Sequence, residues 1–310
     1  MNKYSEATNR KNVNHIIAGL KELIELLKNQ FGFKNIESTK LKKFIKKAEN
    51  NPNNLSYDEL CELYANINRF QRIKEIIIES KDNPNIVNLK KMISGSESSI
   101  YYSDNSEDAF FEIDFAARMI KLPFYKNINI NTETDIIFND SIAIECKKIH
   151  SNKKLHTNIK DANNQIIRRI SDGHADEGFI AIELTNFFPQ TDNKDFFDYI
   201  YNKFSEQYLN LKLEDGVFTN HNFKSIIRGY SGNLLEYTFS SMIGNKKIKL
   251  DQNVMGIFYQ AEVFLPVGEG ENSVTAIRMA SYYLNSDYIR NDRDRLEYVK
   301  RFFHLLASGV

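Results

Sequence analysis

The chain is short of cysteine, of net charge and of long apolar runs, and each shortage removes a class of protein. Cys61 and Cys146 are its only cysteines. A disulfide framework or a zinc cluster needs ligands at paired spacings, so neither is expected. No stretch approaches the ~18 consecutive apolar residues that span a bilayer as a helix. The opening residues, MNKYSEATNRKN, have no apolar core of the kind a signal peptide carries, which leads to the expectation of a cytoplasmic protein. Charge is balanced, with 41 basic and 41 acidic residues, so no overall basic field argues for nucleic-acid binding. No internal repeat occurs at solenoid spacing.

What is present is the composition of a folded globular protein. Of 310 residues, 42% are apolar and 26% charged, enough for two domains or one large one. Residues 12–93 read as helical. Ile16, Leu20, Leu23 and Leu27 recur at helical spacing, as do Leu41, Phe44, Ile45 and Ala48. Ser56-Tyr57-Asp58-Glu59 has the form of a capping box, opening a helix with Leu60, Tyr64, Ile67 and Phe70 on one face. The SGSESS stretch at 94–99 is the best candidate for a linker. This predicts an N-terminal helical region over 1–95 and a second region over 96–310.

The second region changes character. A helix from about 107 to 122 precedes three Ile-rich runs, NINI, DIIF and IAIEC. A basic helix (about 156–171) and another strand, GFIAIELT, follow. Further helices are predicted near 195–211, 223–240, 274–284 and 293–306, with a strand at 254–266. The order predicts an α/β (α+β) fold, a mixed sheet with helices packed against it.

One stretch carries charge where it is costly. Residues 133–148 read ETDIIFNDSIAIECKK, so a strand apolar enough to be buried ends on Glu145-Cys146-Lys147-Lys148. Asn139-Asp140-Ser141 are turn formers between two strands. A two-residue loop would place Asp135 opposite Ile144. A three-residue loop pairs Phe138 with Ile142 and Ile136 with Ile144, and only this register gathers Ile136, Phe138, Ile142, Ile144 and Cys146 on one face. Asp135 then opposes Glu145, with Cβ atoms about 4.5–5.5 Å apart, and Lys147 shares the face of Glu145. Two carboxylates so close repel unless a cation lies between them. Oxygen ligands of this kind suit Mg²⁺ or Mn²⁺.

Asp135 followed by Glu145-Cys146-Lys147 at the end of the next strand resembles the PD-(D/E)XK motif of restriction-endonuclease-like nucleases, over roughly residues 105–185. Thr134 stands where that motif has proline. The resemblance implies a mixed-sheet nuclease core in 96–310 with a C-terminal helical elaboration. It implies a Mg²⁺- or Mn²⁺-dependent phosphodiester hydrolase, an endonuclease acting on nucleic acid with DNA the expected substrate, and by association a part in antiviral defense. Asp135, Glu145, an acid of the preceding helix and the backbone carbonyl of Cys146 would hold the metal, and Lys147 would serve the attacking water or the phosphate. Glu112 is the matching helix acid, with Glu107, Asp108 and Asp114 as alternatives. Gln165, in the helix after the lysine strand, matches a polar residue that points into the site. The flanking helices are left for substrate recognition, homo-oligomerisation or a regulatory protein partner, with no membrane role.

The other candidates have plainer explanations. Residues 147–169 hold Lys147, Lys148, Lys153, Lys154, Lys160, Arg168 and Arg169 against Asp161. Lys153, Lys154, Lys160 and Arg168 are the expected phosphate contacts, although such a run is by itself a solvated face. His150 and His156 read as surface or phosphate-contacting residues. Cys146 reads as packing, Glu183 as a strand-end carboxylate, and Gly268 and Gly270 as a loop. Tyr282, Tyr283, Tyr288, Arg290, Arg293 and Arg295 could stack on nucleic acid, or be core tyrosines beside a charged helix face. The rival to an enzyme is a non-catalytic nuclease-like module that binds nucleic acid or a partner protein.

Overall fold

The computed structural model describes residues 4–7, 13–34, 36–50, 66, 69–79, 86–94, 105–130, 135–188, 199, 202–203, 206–207, 221–265, 275–290 and 292–308. Alternating apolar residues build one mixed sheet from β1 (Tyr4–Ala7), β2 (Ile128–Asn129), β3 (Ile136–Phe138), β4 (Ile142–Lys148), β5 (Glu177–Glu183), β6 (Val254–Leu265) and β7 (Thr275–Leu284). Its order is β1-β7-β6-β5-β4-β3-β2. The central β4, β5 and β6 run parallel, and every outer pairing is antiparallel.

The parallel strands are buried on both sides, which is why they read as unbroken apolar runs. One face carries Ile136, Phe138, Ile142, Ile144, Phe179 and Phe258. Against it pack α1 (Val13–Phe31), α2 (Lys40–Asn50), α3 (Lys74–Glu79), α4 (Ile86–Ile93), α5 (Asn105–Met119) and the C-terminal α9 (Arg293–Ser308). The other face carries Ile137, Ala143, Ile180, Ile182 and Ile257, covered by α6 (Leu155–Ser171) and α7 (His221–Ile243). A one-turn helix, α8 (Ser286–Ile289), joins β7 to α9. The α6 helix lies close on β5 because Gly178 has no side chain: a Cβ there would strike the Ala143 carbonyl oxygen and Ile166 Cγ2.

Among the described residues the predicted elements recur with two corrections. Residues 274–284 form strand β7, not a helix: β7 pairs with β6 along its whole length, Thr275↔Leu265 to Leu284↔Gly256. Its Met279 and Ala280 fall on opposite sides of the sheet, as period two requires. The short β1, not anticipated, pairs with β7. Residues 56–59, the SGSESS stretch beyond Ser94 and most of 195–211 lie outside the described residues, as does the boundary at 95.

The N-terminal helices share their core with the sheet and are also tied to it by buried ion pairs. Glu107 accepts from Arg69 at 2.9 Å and lies 3.3 Å from both Lys40 and Lys148. Asp114 accepts from Arg278 at 2.9 Å and Arg72 at 3.3 Å. Arg72 also grips Glu262 with both terminal nitrogens. Burial would raise Glu107 and Asp114, but the surrounding arginines and lysines hold both well below the ordinary carboxylate range. Charges this deep persist only because each is answered by another. Among the described residues, no helix is long and apolar enough to cross a membrane.

Candidate metal-binding site on the β3–β4 hairpin

The turn between β3 and β4 sets the site. Asn139 and Asp140 both adopt positive φ, 52° and 58°, which Asn and Asp tolerate better than most residues. Ser141 N–H donates to the Phe138 carbonyl at 3.2 Å. The strands pair Phe138↔Ile142, Ile137↔Ala143 and Ile136↔Ile144, the predicted register. Asp135 therefore enters just before β3, at the level of Glu145.

Each charged side chain is pinned. Asp135 Oδ2 accepts from the Cys146 N–H at 2.6 Å. Glu145 is 0% exposed; its Oε2 accepts from Lys147 Nζ at 3.1 Å, and its Oε1 is buried with no hydrogen-bond partner. Glu112, half-buried on α5, completes an acidic group that does not neutralise itself. Burial, with repulsion from Asp135, pushes Glu145 up to about 7. Burial, then Asp135 and Asp108, pushes Glu112 up to about 8. Burial raises Asp135 as well, against the pull of Lys147 and the Cys146 N–H. Burial would lower Lys147, yet Asp135 and Glu145 outweigh it and hold its ammonium more firmly charged. Lys147 thus acts on all three of these acids, and Glu112, Asp135 and Glu145 are the groups a divalent cation would draw on. Among the described residues, no three His, Cys, Asp or Glu side chains converge closely enough to form a ready cage.

No family model, curated protein or solved structure matches this chain.

The structure separates the four acids left open by the sequence. Glu107 and Asp114 are consumed by the buried ion pairs. Asp108 bonds His150, its Oδ1 lying 2.9 Å from His150 Nε2. Glu112 feels the charges of Asp135, Lys147 and Asp108. The Cys146 thiol packs on the apolar face and is pushed up by burial, in keeping with a packing role. Gln165 is half-buried on α6; the cation that acts on Glu145 from that helix is Arg169, one turn further on.

The basic run divides. Lys153, Lys154, Lys160 and Arg168 are exposed, whereas Lys148 and Arg169 are buried and leave the solvated face. Lys153 and Lys154 lie in the 3₁₀ turn that leads from β4 into α6. Arg168 sits near the far end of α6, about 20 Å along the axis at ~1.5 Å per residue. His156 is half-buried and donates to the Ile243 carbonyl, joining α6 to the end of α7. Glu183 is fully engaged by Thr185 and Gln260. Tyr282 and Tyr288 are buried, and Tyr288 bonds Glu177, so these are core tyrosines. Sequence patterns held no sign of Arg169 or of the Asp108–His150 pair, since both meet the site only through folding.

Proposed function

We propose that this protein is a metal-dependent nuclease of the PD-(D/E)XK type, hydrolysing phosphodiester bonds in nucleic acid, with DNA as the expected substrate. The observation that carries the reading is the hairpin register, which sets Asp135 level with Glu145 and gives Lys147 to Glu145. The site suits a cation for three reasons: an orphaned buried oxygen on Glu145, carboxylates raised by burial and then by their acidic neighbours, and an all-oxygen acidic donor set. Mg²⁺ or Mn²⁺ held by Glu112, Asp135 and Glu145, with the Cys146 carbonyl as a further ligand, would supply an acidified water and charge stabilisation at the phosphate.

The residues divide the remaining work. Asp135 is oriented by the Cys146 N–H, so its free oxygen is held in place. Lys147 stays protonated among its carboxylates, which makes it a donor to the attacking water or to a phosphate oxygen rather than a base. Lys153 and Lys154, exposed just past the end of β4, would meet the backbone of a bound strand. Antiviral defense is the setting that the resemblance suggests.

The test is Mn²⁺ calorimetry together with plasmid nicking. The wild type should take up Mn²⁺ and nick plasmid, and Asp135→Asn and Glu145→Gln should each stay folded and lose both. Normal nicking by either variant would remove that residue from the mechanism. Among the described residues no ready cage forms, and the rival reading is a nuclease-like module that binds nucleic acid or a partner protein without cutting. Nucleic-acid binding by a wild type that shows no Mn²⁺ heat would decide for that module.

A further inference from the structure

Beside the carboxylates lies a chain of polar groups that the mechanism above does not use. His150 follows β4 by two residues, where the parallel strands β4 and β5 end. Asn186 stands in the 3₁₀ turn Thr185–Phe187 that follows β5, and Asp108 in the first turn of α5. The His150 ring is held at both nitrogens: Nε2 lies 2.9 Å from Asp108 Oδ1, and Nδ1 lies 3.2 Å from Asn186 Nδ2. The ring thereby joins three elements that are far apart in the chain.

The ring proton follows from the partners. Asn186 Nδ2 also faces the Ile149 carbonyl at 3.4 Å. Rotating the amide would set its oxygen against that carbonyl, two acceptors together. The Asp108 carboxylate can only accept, so the ring proton is assigned to Nε2, and Nδ1 is left to accept from Asn186 N–H. Asp108 has its Oδ1 fixed in this way, shares a helix face with Glu112 one turn on, and lies within electrostatic range of both Glu112 and Asp135. Its side chain is 44% exposed, so without the histidine nothing in this chain of bonds would keep it turned toward the site.

We propose that His150 is a positioning residue of the carboxylate site: its Nε2–H holds Asp108 beside Glu112 and Asp135, and Asn186 keeps the proton on that nitrogen. Asp108 then adds a fixed negative charge to the place where a divalent cation is drawn in, without itself being needed as a ligand. The inference rests on the metal-site reading above and adds to it the device that orients an outer carboxylate.

The experiment uses the full chain and Mn²⁺ alone. Nitrogen-resolved NMR, assigned by the ring that is lost in His150→Gln, should show His150 with Nε2 protonated and Nδ1 accepting, and the Nδ1 resonance alone should shift in Asn186→Ala. In calorimetry His150→Ala and Asp108→Asn should each weaken Mn²⁺ binding about tenfold, and the double variant should lose no more than either alone. His150→Gln should keep near wild-type affinity, because the Gln amide can donate to Asp108 and accept from Asn186. It also serves as the folded comparison should His150→Ala melt early. Additive losses, an unchanged Mn²⁺ affinity in His150→Ala, or a ring protonated on Nδ1 would each overturn the inference while leaving the metal site standing. A wild type that takes up no Mn²⁺ would remove the metal-site reading, and the inference with it.

Discussion

Lys147 and Lys148 are neighbours in sequence and opposites in role, because successive side chains of a strand leave on opposite faces. Lys147 sits at 3.1 Å from Glu145 among the carboxylates. Lys148 points through the sheet to Glu107 and is almost wholly buried. Lys147→Ala should keep Mn²⁺ affinity near wild type and still bind nucleic acid, while cleavage falls at least ~10²-fold, the scale of a positioned charge-stabilising group. Lys148→Ala should do the reverse. It removes one of three cations around Glu107 and should cost about 2–3 kcal/mol of stability, somewhat less than a wholly broken buried pair, with no specific loss at the cleavage step once the protein is folded. Chemical denaturation and single-turnover cleavage of both variants separate the two. An active Lys147→Ala beside a dead but stable Lys148→Ala would invert the assignment of the strand's faces.

At the scale of elements, α6 has two working faces. Its exposed side, continued from the preceding turn, carries Lys153, Lys154 and Lys160. Replacing all three with Ala should weaken nucleic-acid binding and flatten the slope of log affinity against log salt by up to about 3, at ~0.9 for each phosphate left unneutralised. An unchanged slope would make this face merely solvated. The inner side presses on β5 at Gly178, where a methyl group would meet a backbone carbonyl and Ile166. Gly178→Ala should destabilise by about 1–3 kcal/mol, the range of an overpacked core, seen as a lower denaturant midpoint. Because α6 spans β4 and β5, the same change should also lower activity in the variant that remains folded, by tilting the loop that carries Lys153 and Lys154.

The whole molecule holds two charge populations with opposite pH behaviour. Glu112 and Glu145 are raised, to about 8 and about 7 from an ordinary 4.5. Between 4.5 and those values the folded chain holds more protons than the unfolded one, so stability falls as pH rises through that window. Glu107, Asp114 and Glu262 are lowered by their arginines, so their contribution is present above the ordinary carboxylate value and is lost as pH falls below it. Thermal melts of the metal-free protein should therefore show greatest stability on the mildly acid side of neutrality and decline toward about pH 8. Added Mg²⁺ should lift the alkaline end most, because a cation offsets both the burial and the acidic neighbours that raise the two glutamates, and its uptake near neutrality should release protons. A metal-free protein that is most stable at about pH 8, or equal stabilisation by Mg²⁺ at about pH 5 and about pH 8, would contradict this charge arrangement.

Local pattern determined the hairpin: only a three-residue loop puts Ile136, Phe138, Ile142, Ile144 and Cys146 on one face, and the strands pair that way. Periodicity likewise determined that 107–122, 156–171 and 293–306 would be helical, because amphipathic spacing is a property of neighbouring residues. It misread 274–284, whose strand form comes from the partner strand β6 lying beside it. The choice among Glu107, Asp108, Glu112 and Asp114 belonged to tertiary structure alone. One stretch of helix offers all four similar local surroundings, and it is Arg69, Lys148, Arg278 and His150, brought in from distant parts of the chain, that pair with Glu107, Asp114 and Asp108, while Glu112 comes under the charge of Asp135.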